Sequence, residues 1–200
     1  MDERTEVQEM TVEQNKPQSK INTKEILDWT VSIVVALVVA FVIRTFVFTM
    51  VRVDGQSMDP TLTHGDTLFT RIIGYTPKQG DIVIFNPPLS ETVRKPNKKI
   101  AYVKRVIALE GQTVDIKDGN VYVDGELLEE DYILEEIKGP VPNTLTFPYV
   151  VPEDTVFVLG DNRNNSHDSR SKDVGAVPID NIIGKAQFRV LPLSAAGSLY

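Results

Sequence analysis

Polar and apolar positions divide the chain into three stretches of different character. Residues 1–28 carry no aromatic side chain and mix four basic with seven acidic residues. So little apolar surface cannot offset the entropy of ordering, and a mobile tail is predicted. Trp29–Val51 is almost continuously apolar, with Arg44 the one charge in 23 residues. As a helix this stretch reaches about 35 Å, against about 30 Å of bilayer hydrocarbon. It reads as a retained membrane anchor. A cleaved signal peptide would be followed by a small-x-small site, and a buried core helix would show a polar stripe; neither feature is present. Lys16, Lys20 and Lys24 precede the span and only Arg52 follows closely, so the N-terminus is expected inside and the bulk of the chain outside.

Beyond residue 51 the pattern turns to β. Val51 and Val53, Thr67–Phe69, Ile82–Phe85, Ala101–Ala108, Val156–Leu159 and Ile182–Val190 are short runs rich in β-branched residues. Thr113–Leu128 alternates apolar with polar and contains Asp118-Gly119 and Asp124-Gly125, pairs that favour two-residue hairpin turns because both central positions need positive φ. Six prolines between Pro140 and Pro192 argue against helices there. Residues 86–99 and 129–152 are predicted loops, the first of them basic.

Composition narrows the chemistry. The 200 residues contain no cysteine, which excludes disulfides, thiolate catalysis and Cys-zinc sites, and the net charge of −7 argues against a nucleic-acid partner. His64 and His167 are the only imidazoles. His167 adjoins Asp168, but neighbours in an extended segment point to opposite faces, so the pair does not make a relay; both histidines read as loop residues. Residues 161–168 are polar, yet Arg163 at the third position breaks a calcium-loop spacing. Gly55-Gln56-Ser57-Met58-Asp59 lacks the last glycine of a nucleophile elbow. Asn164-Asn165-Ser166 matches an N-glycosylation sequon of the short kind that arises by chance. A serine can also be activated by a neutral lysine, and burial lowers a lysine's pKa by disfavouring the ammonium. Lys104 sits in the middle of the otherwise largely apolar run Ala101–Ala108, beside Arg105. It reads either as a lysine snorkelling from an edge strand or as a buried amine sharing a face with Tyr102 and Val106 while Arg105 faces the other way.

Three blocks then resemble the bacterial type I signal peptidases, in the short form found in Gram-positive bacteria: Gly55–Leu62, Tyr102–Val106 and Gly160–Arg170, in family order after an apolar N-terminal segment. The resemblance covers about residues 29–190. It implies a mainly β fold of coiled antiparallel sheets preceded by one N-terminal transmembrane helix. The domains would be a tail 1–28, an anchor 29–51 and an extracytoplasmic peptidase domain 52–200 with a small insertion at about 110–150. It implies Ser57 as nucleophile and Lys104 as general base, Ser166 orienting the lysine, Asp168 and Arg170 as a structural ion pair, and Asp161 and Arg105 in support. The Ser57 N–H would be an oxyanion donor; at Gly55, where some relatives carry a serine hydroxyl, the second donor is left open. By position, Val53, Met58, Leu62, Tyr102 and Val103 should line S1, and Val51, Val53, Leu68 and Val103 should line S3. The substrate would add as a strand near 51–57 and 101–104. The implied reaction is removal of signal peptides from exported preproteins after small-x-small sites at the plasma membrane. The expected partners are those signal peptides and membrane lipid, the expected state is a monomer, and no cofactor, metal or nucleic acid is implied.

Overall fold

The computed structural model describes residues 23–42, 48–72, 74–86, 101–139 and 143–200; most of the predicted tail and of the basic loop 86–99 lies outside them. The first element is the helix α1, Thr23–Val42. Its apolar side chains are exposed, with Leu27, Trp29, Leu37 and Phe41 61–73% accessible.

The predicted anchor Trp29–Val51 is not one helix. The helix begins six residues earlier, taking in Lys24, Glu25 and Asp28, and ends at Val42, while Phe48–Arg52 form a β-strand. Its uncharged part from Trp29 onward covers about 21 Å at helical rise. Among the described residues no helix is long and apolar enough to cross a membrane. The physical reason lies at the C-terminal end of the apolar run, where residues 48–52 pair in register with 67–71 and Phe48 stacks on Phe69 at 4.6 Å between ring centroids. The sheet thus satisfies the backbone that a longer helix would have used.

The strands are β1 (Phe48–Arg52), β2 (Thr67–Arg71), β3 (Ile82–Phe85), β4 (Tyr102–Leu109), β5 (Thr113–Lys117), β6 (Asn120–Val123), β7 (Glu126–Leu127), β8 (Tyr149–Val150), β9 (Thr155–Leu159), β10 (Val177–Pro178), β11 (Ile182–Leu191) and β12 (Gly197–Ser198). The main sheet runs β1-β2-β11-β3-β4-β9-β10, with β12 also on β11; the second runs β7-β6-β5-β8. All pairings are antiparallel. The fold is mainly β, with a curled antiparallel sheet. Register shifts in β11, at 182/184, 186/188 and 189/191, and in β4, at 106/108, mark bulges, which bend a strand and increase its twist. β1 and β4 are four places apart in the main sheet, yet residues 51–53 and 101–104 line one cleft.

The apolar runs are explained by burial on both faces. In β3 all four residues are buried: Ile82 and Ile84 join Met58, Leu62, Leu68 and Val103 in one cluster, while Val83 and Phe85 join Val106, Val156 and Val158 in another. The second sheet buries Val114, Val121 and Val123 against Ile107, Phe157 and Leu159. Its two hairpins turn at Asp118-Gly119 (φ 49° and 83°) and Asp124-Gly125 (φ 52° and 85°), the left-handed pairs that the Asp-Gly reading requires.

Candidate active site

Lys104 lies in β4, paired across to Val83 of β3. The β4–β9 ladder begins one residue later, at Arg105↔Leu159. The side of β4 away from β3 is therefore clear of β9 at residues 102–104, and there the strand lines the cleft. Lys104 is 4% exposed. Its Nζ donates to Ser57 Oγ at 2.7 Å and to the Val103 carbonyl at 2.9 Å, and lies 5.3 Å from the centroid of the Tyr102 ring. Of the two readings of this lysine, the snorkelling one is excluded by its burial. Burial lowers its pKa to about 8, against the opposing pull of Asp168 and Asp161.

Ser57 sits in a turn that three elements hold. Gly55 has φ of +116°, and its N–H donates to His64 Nδ1 at 3.2 Å. That N–H is therefore committed, so the backbone at Gly55 supplies no second oxyanion donor in this geometry. The Asn162 N–H donates to the Ser57 carbonyl and Asn162 Nδ2 to the Gln56 carbonyl, both at 3.1 Å. Leu62 N–H closes on the Met58 carbonyl at 2.9 Å. Among these, His64 and Asn162 were not assigned a part by sequence reasoning. Asn162 falls in the third motif block, which was the available signal; His64 had none.

Behind the dyad lie two buried ion pairs. Arg170 donates through Nε to Asp168 Oδ1 (2.8 Å) and through Nη2 to Asp168 Oδ2 (2.9 Å), while the Gly160 N–H donates to Asp168 Oδ2 (3.0 Å). Burial raises the Asp168 carboxyl, but the guanidinium and that N–H outweigh it and hold the group below the ordinary carboxylate range. Arg105 faces the other way from Lys104 and grips Asp161 bidentately at 2.9 and 2.7 Å, with Thr61 Oγ1 also donating to Asp161 Oδ2. His167 does not engage Asp168; its Nδ1 lies 3.3 Å from Ser171 Oγ and its Nε2 3.2 Å from Asp173.

Two expectations are corrected. Ser166 lines the cleft, and its buried Oγ makes no hydrogen bond to Lys104; it lies toward Asp168 and helps to hold that carboxyl low. The Lys104 amine is instead held by Ser57 and the Val103 carbonyl, while Ser166 packs against the backbone of Gly160. Leu62 and Leu68 do not line the cleft. Both are fully buried in the cluster beneath it, because alternation along a strand assigns a face but not a depth. Val51, Val53, Met58, Tyr102 and Val103 do line it, around a volume of about 810 Å³.

The family model described as signal peptidase, peptidase S26, matches residues 26–191. The chain belongs to this family. It is accordingly an enzyme, a serine endopeptidase. This peptidase is 45% identical over 171 residues to the probable signal peptidase I-1 of Synechocystis sp., covering 84% of this chain and 83% of that protein. It is 37% identical to signal peptidase I P of Bacillus subtilis subsp. natto, covering 87% and 94%. With signal peptidase IB of Staphylococcus aureus it shares 36%, covering 86% and 92%. A signal peptidase I crystal structure from Enterococcus faecalis V583 aligns with a TM-score of 0.42 at 30% identity, over 56% of this chain and 98% of that one.

Proposed function

We propose that this peptidase removes signal peptides from exported preproteins with a Ser57/Lys104 dyad, cutting after small-x-small sites. The observation that carries the reading is the 2.7 Å contact between a 4%-exposed lysine amine and a serine hydroxyl at the floor of a cleft.

In its neutral form Lys104 takes the Ser57 proton as Oγ attacks the scissile carbonyl carbon. The tetrahedral oxyanion is stabilised by the Ser57 N–H. Collapse breaks the peptide bond, and the Lys104 ammonium gives its proton to the leaving amine. Water, deprotonated by Lys104, then hydrolyses the Ser57 ester and frees the signal peptide. Val53, Met58 and Val103 are buried residues that give the cleft an apolar lining beside Ser57, which suits small apolar side chains near the scissile bond. The edge of β1, unpaired among the described residues, and the start of β4 suit an extended substrate added as a strand.

Attachment to the plasma membrane belongs to the same proposal. It is supported by the exposed apolar side chains of α1 and by Met50, 65% accessible on β1. Lys16 and Lys20 before α1, and Lys24 in its first turn, favour a cytoplasmic N-terminus, with the catalytic domain on the other side. Carbonate washing of membranes should leave the chain in the pellet; release into the wash would refute attachment through apolar contact.

The catalytic test uses detergent-solubilised full-length protein and a peptide with an Ala-x-Ala site. Wild type should cut it after the second alanine, and Ser57→Ala and Lys104→Ala should lose activity while melting as wild type does. Cleavage by Ser57→Ala at the wild-type rate would sink the mechanism.

A further inference from the structure

One wall of the cleft is the segment Asn164–His167. It is clamped by the polar segment 129–138, which follows β7. Glu130 forms a buried ion pair with Arg163, and Tyr132 lays its ring 3.8 Å from the Arg105 guanidinium carbon while its hydroxyl donates to Glu130 Oε1. The Leu134 N–H reaches the Asp161 carbonyl. The contacts close around the Asn164 side chain. Its Nδ2 donates to Glu135 Oε1 (2.7 Å) and to the Glu136 carbonyl (2.9 Å), and its Oδ1 accepts from the Lys138 N–H (2.8 Å). A backbone carbonyl can only accept and a backbone N–H can only donate, so the amide has one orientation and all three bonds require it. The segment is in turn fixed to the second sheet, where the Ile137 N–H donates to the carbonyl of Gly119 in the β5–β6 turn at 3.0 Å.

The three partners of Asn164 lie 26 to 29 residues away in the chain. The sequon reading also ends here, because the Asn164 nitrogen that a glycan would need is already donating both protons.

We propose that segment 129–138 is a strap that sets the width of the substrate cleft by clamping Asn164, so that Asn164, Glu135 and the Lys138 backbone govern which side chains fit before the scissile bond. Asn164 is a positioning residue in this reading. It lies outside the Ser57–Lys104 contact and acts on the wall. The inference rests on the peptidase reading above and assigns the small insertion a part in specificity.

The test compares kcat/KM on two peptides that differ only in the residue before the scissile bond, alanine in one and leucine in the other. A pocket discriminates about 10- to 200-fold per methylene, so a wall free to move should forfeit much of that preference. Asn164→Ala should lower the alanine-to-leucine ratio at least fivefold, with the pH of half-maximal kcat/KM unmoved because Lys104 is untouched. Glu135→Ala should lower the ratio in the same direction, and Glu135→Gln, which keeps an acceptor oxygen, should restore it. Glu135 is 37% exposed, so its variants remain readable if Asn164→Ala fails to fold. A ratio within twofold of wild type in folded variants, or an equal loss on both peptides, overturns the strap. Ser57→Ala in the same assay separates the two readings: residual cleavage there refutes the dyad, whereas its inactivity together with an unchanged ratio in the Asn164 and Glu135 variants refutes the strap alone.

Discussion

Gly160 offers the sharpest test of how the nucleophile is held. Its φ is not left-handed, so alanine is conformationally acceptable there and any penalty comes from space alone. A Cβ on Gly160 would lie 2.6 Å from Ser166 Cβ, and nearer still to the Ser166 hydroxyl and the Ser57 carbonyl oxygen. Non-bonded carbons settle at about 3.5 Å or more, so the two loops must part by about 1 Å. The glycine cannot yield instead, because its N–H is bound to Asp168 and its carbonyl accepts from Arg163 Nε at 3.1 Å. Overpacking of this kind costs about 1–3 kcal/mol, a fall in Tm of about 2–4 °C per kcal/mol for a domain of this size. The larger effect is on chemistry. The loop that retreats carries Ser57, and about 1 Å of misplacement costs on the order of 100-fold in rate. Gly160→Ala should therefore lose about two orders of magnitude in kcat/KM while remaining folded. Gly197→Ala, with open space around the new Cβ, should melt at or slightly above the wild-type temperature. A Gly160→Ala enzyme within threefold of wild type would show that the backbone at 160 does not position the nucleophile.

Further outcomes follow from the same geometry. With the Lys104 pKa lowered to about 8, about one molecule in ten carries the neutral amine at pH 7. Activity should rise close to tenfold from pH 6 to 7, reach half its maximum near pH 8 and level off above; a flat profile from pH 6 to 9 would refute the lysine base. The folded state releases this proton more readily than the unfolded chain, so Lys104 should destabilise the fold at neutral pH and cease to do so as pH rises from about 8 to about 10.5. Lys104→Met should accordingly be inactive yet melt no lower than wild type at pH 7, and a lower melt would mark the lysine as structural. Tyr200 OH accepts from the Ile82 N–H at 2.7 Å and donates to the Ala186 carbonyl. Tyr200→Phe leaves that N–H unpaired and should cost about 1–3 kcal/mol in a denaturant melt, with an unchanged kcat.

The elements most legible in the sequence are those dictated by local chemistry. Asp118-Gly119 and Asp124-Gly125 demanded left-handed turns and have them. Lys104 stood out because a charge in an apolar run needs a partner or a function. The stretch Trp29–Val51 misled for an equally physical reason: a continuous apolar run has no periodicity from which to tell helix from buried strand. Only the register with residues 67–71 reveals that Phe48–Arg52 belongs to a sheet. Segment 129–138 forms neither helix nor strand and is only partly buried; its contacts with Arg105, Asp161, Arg163 and Asn164 depend on tertiary approach and leave no local pattern. The motif brings Ser166 to the cleft without specifying which way its hydroxyl turns, and in this geometry it lies toward Asp168.

The arrangement of charges around Lys104 explains how a lysine can be deprotonated beside two carboxylates. A buried Asp near an amine ordinarily raises its pKa, and both Asp168 and Asp161 pull in that direction. Each is already saturated by a bidentate arginine, Asp168 by Arg170 and Asp161 by Arg105. To the lysine each pair presents a dipole in place of a free negative charge, and Arg170 itself works against the ammonium. Desolvation is then the largest influence left, and it favours the neutral amine. On the dyad reading proposed above, the arginines serve catalysis without touching Ser57: they tie down the loop carrying Asp161 and Asp168, and Arg170 opposes part of the pull those carboxylates exert on the Lys104 proton.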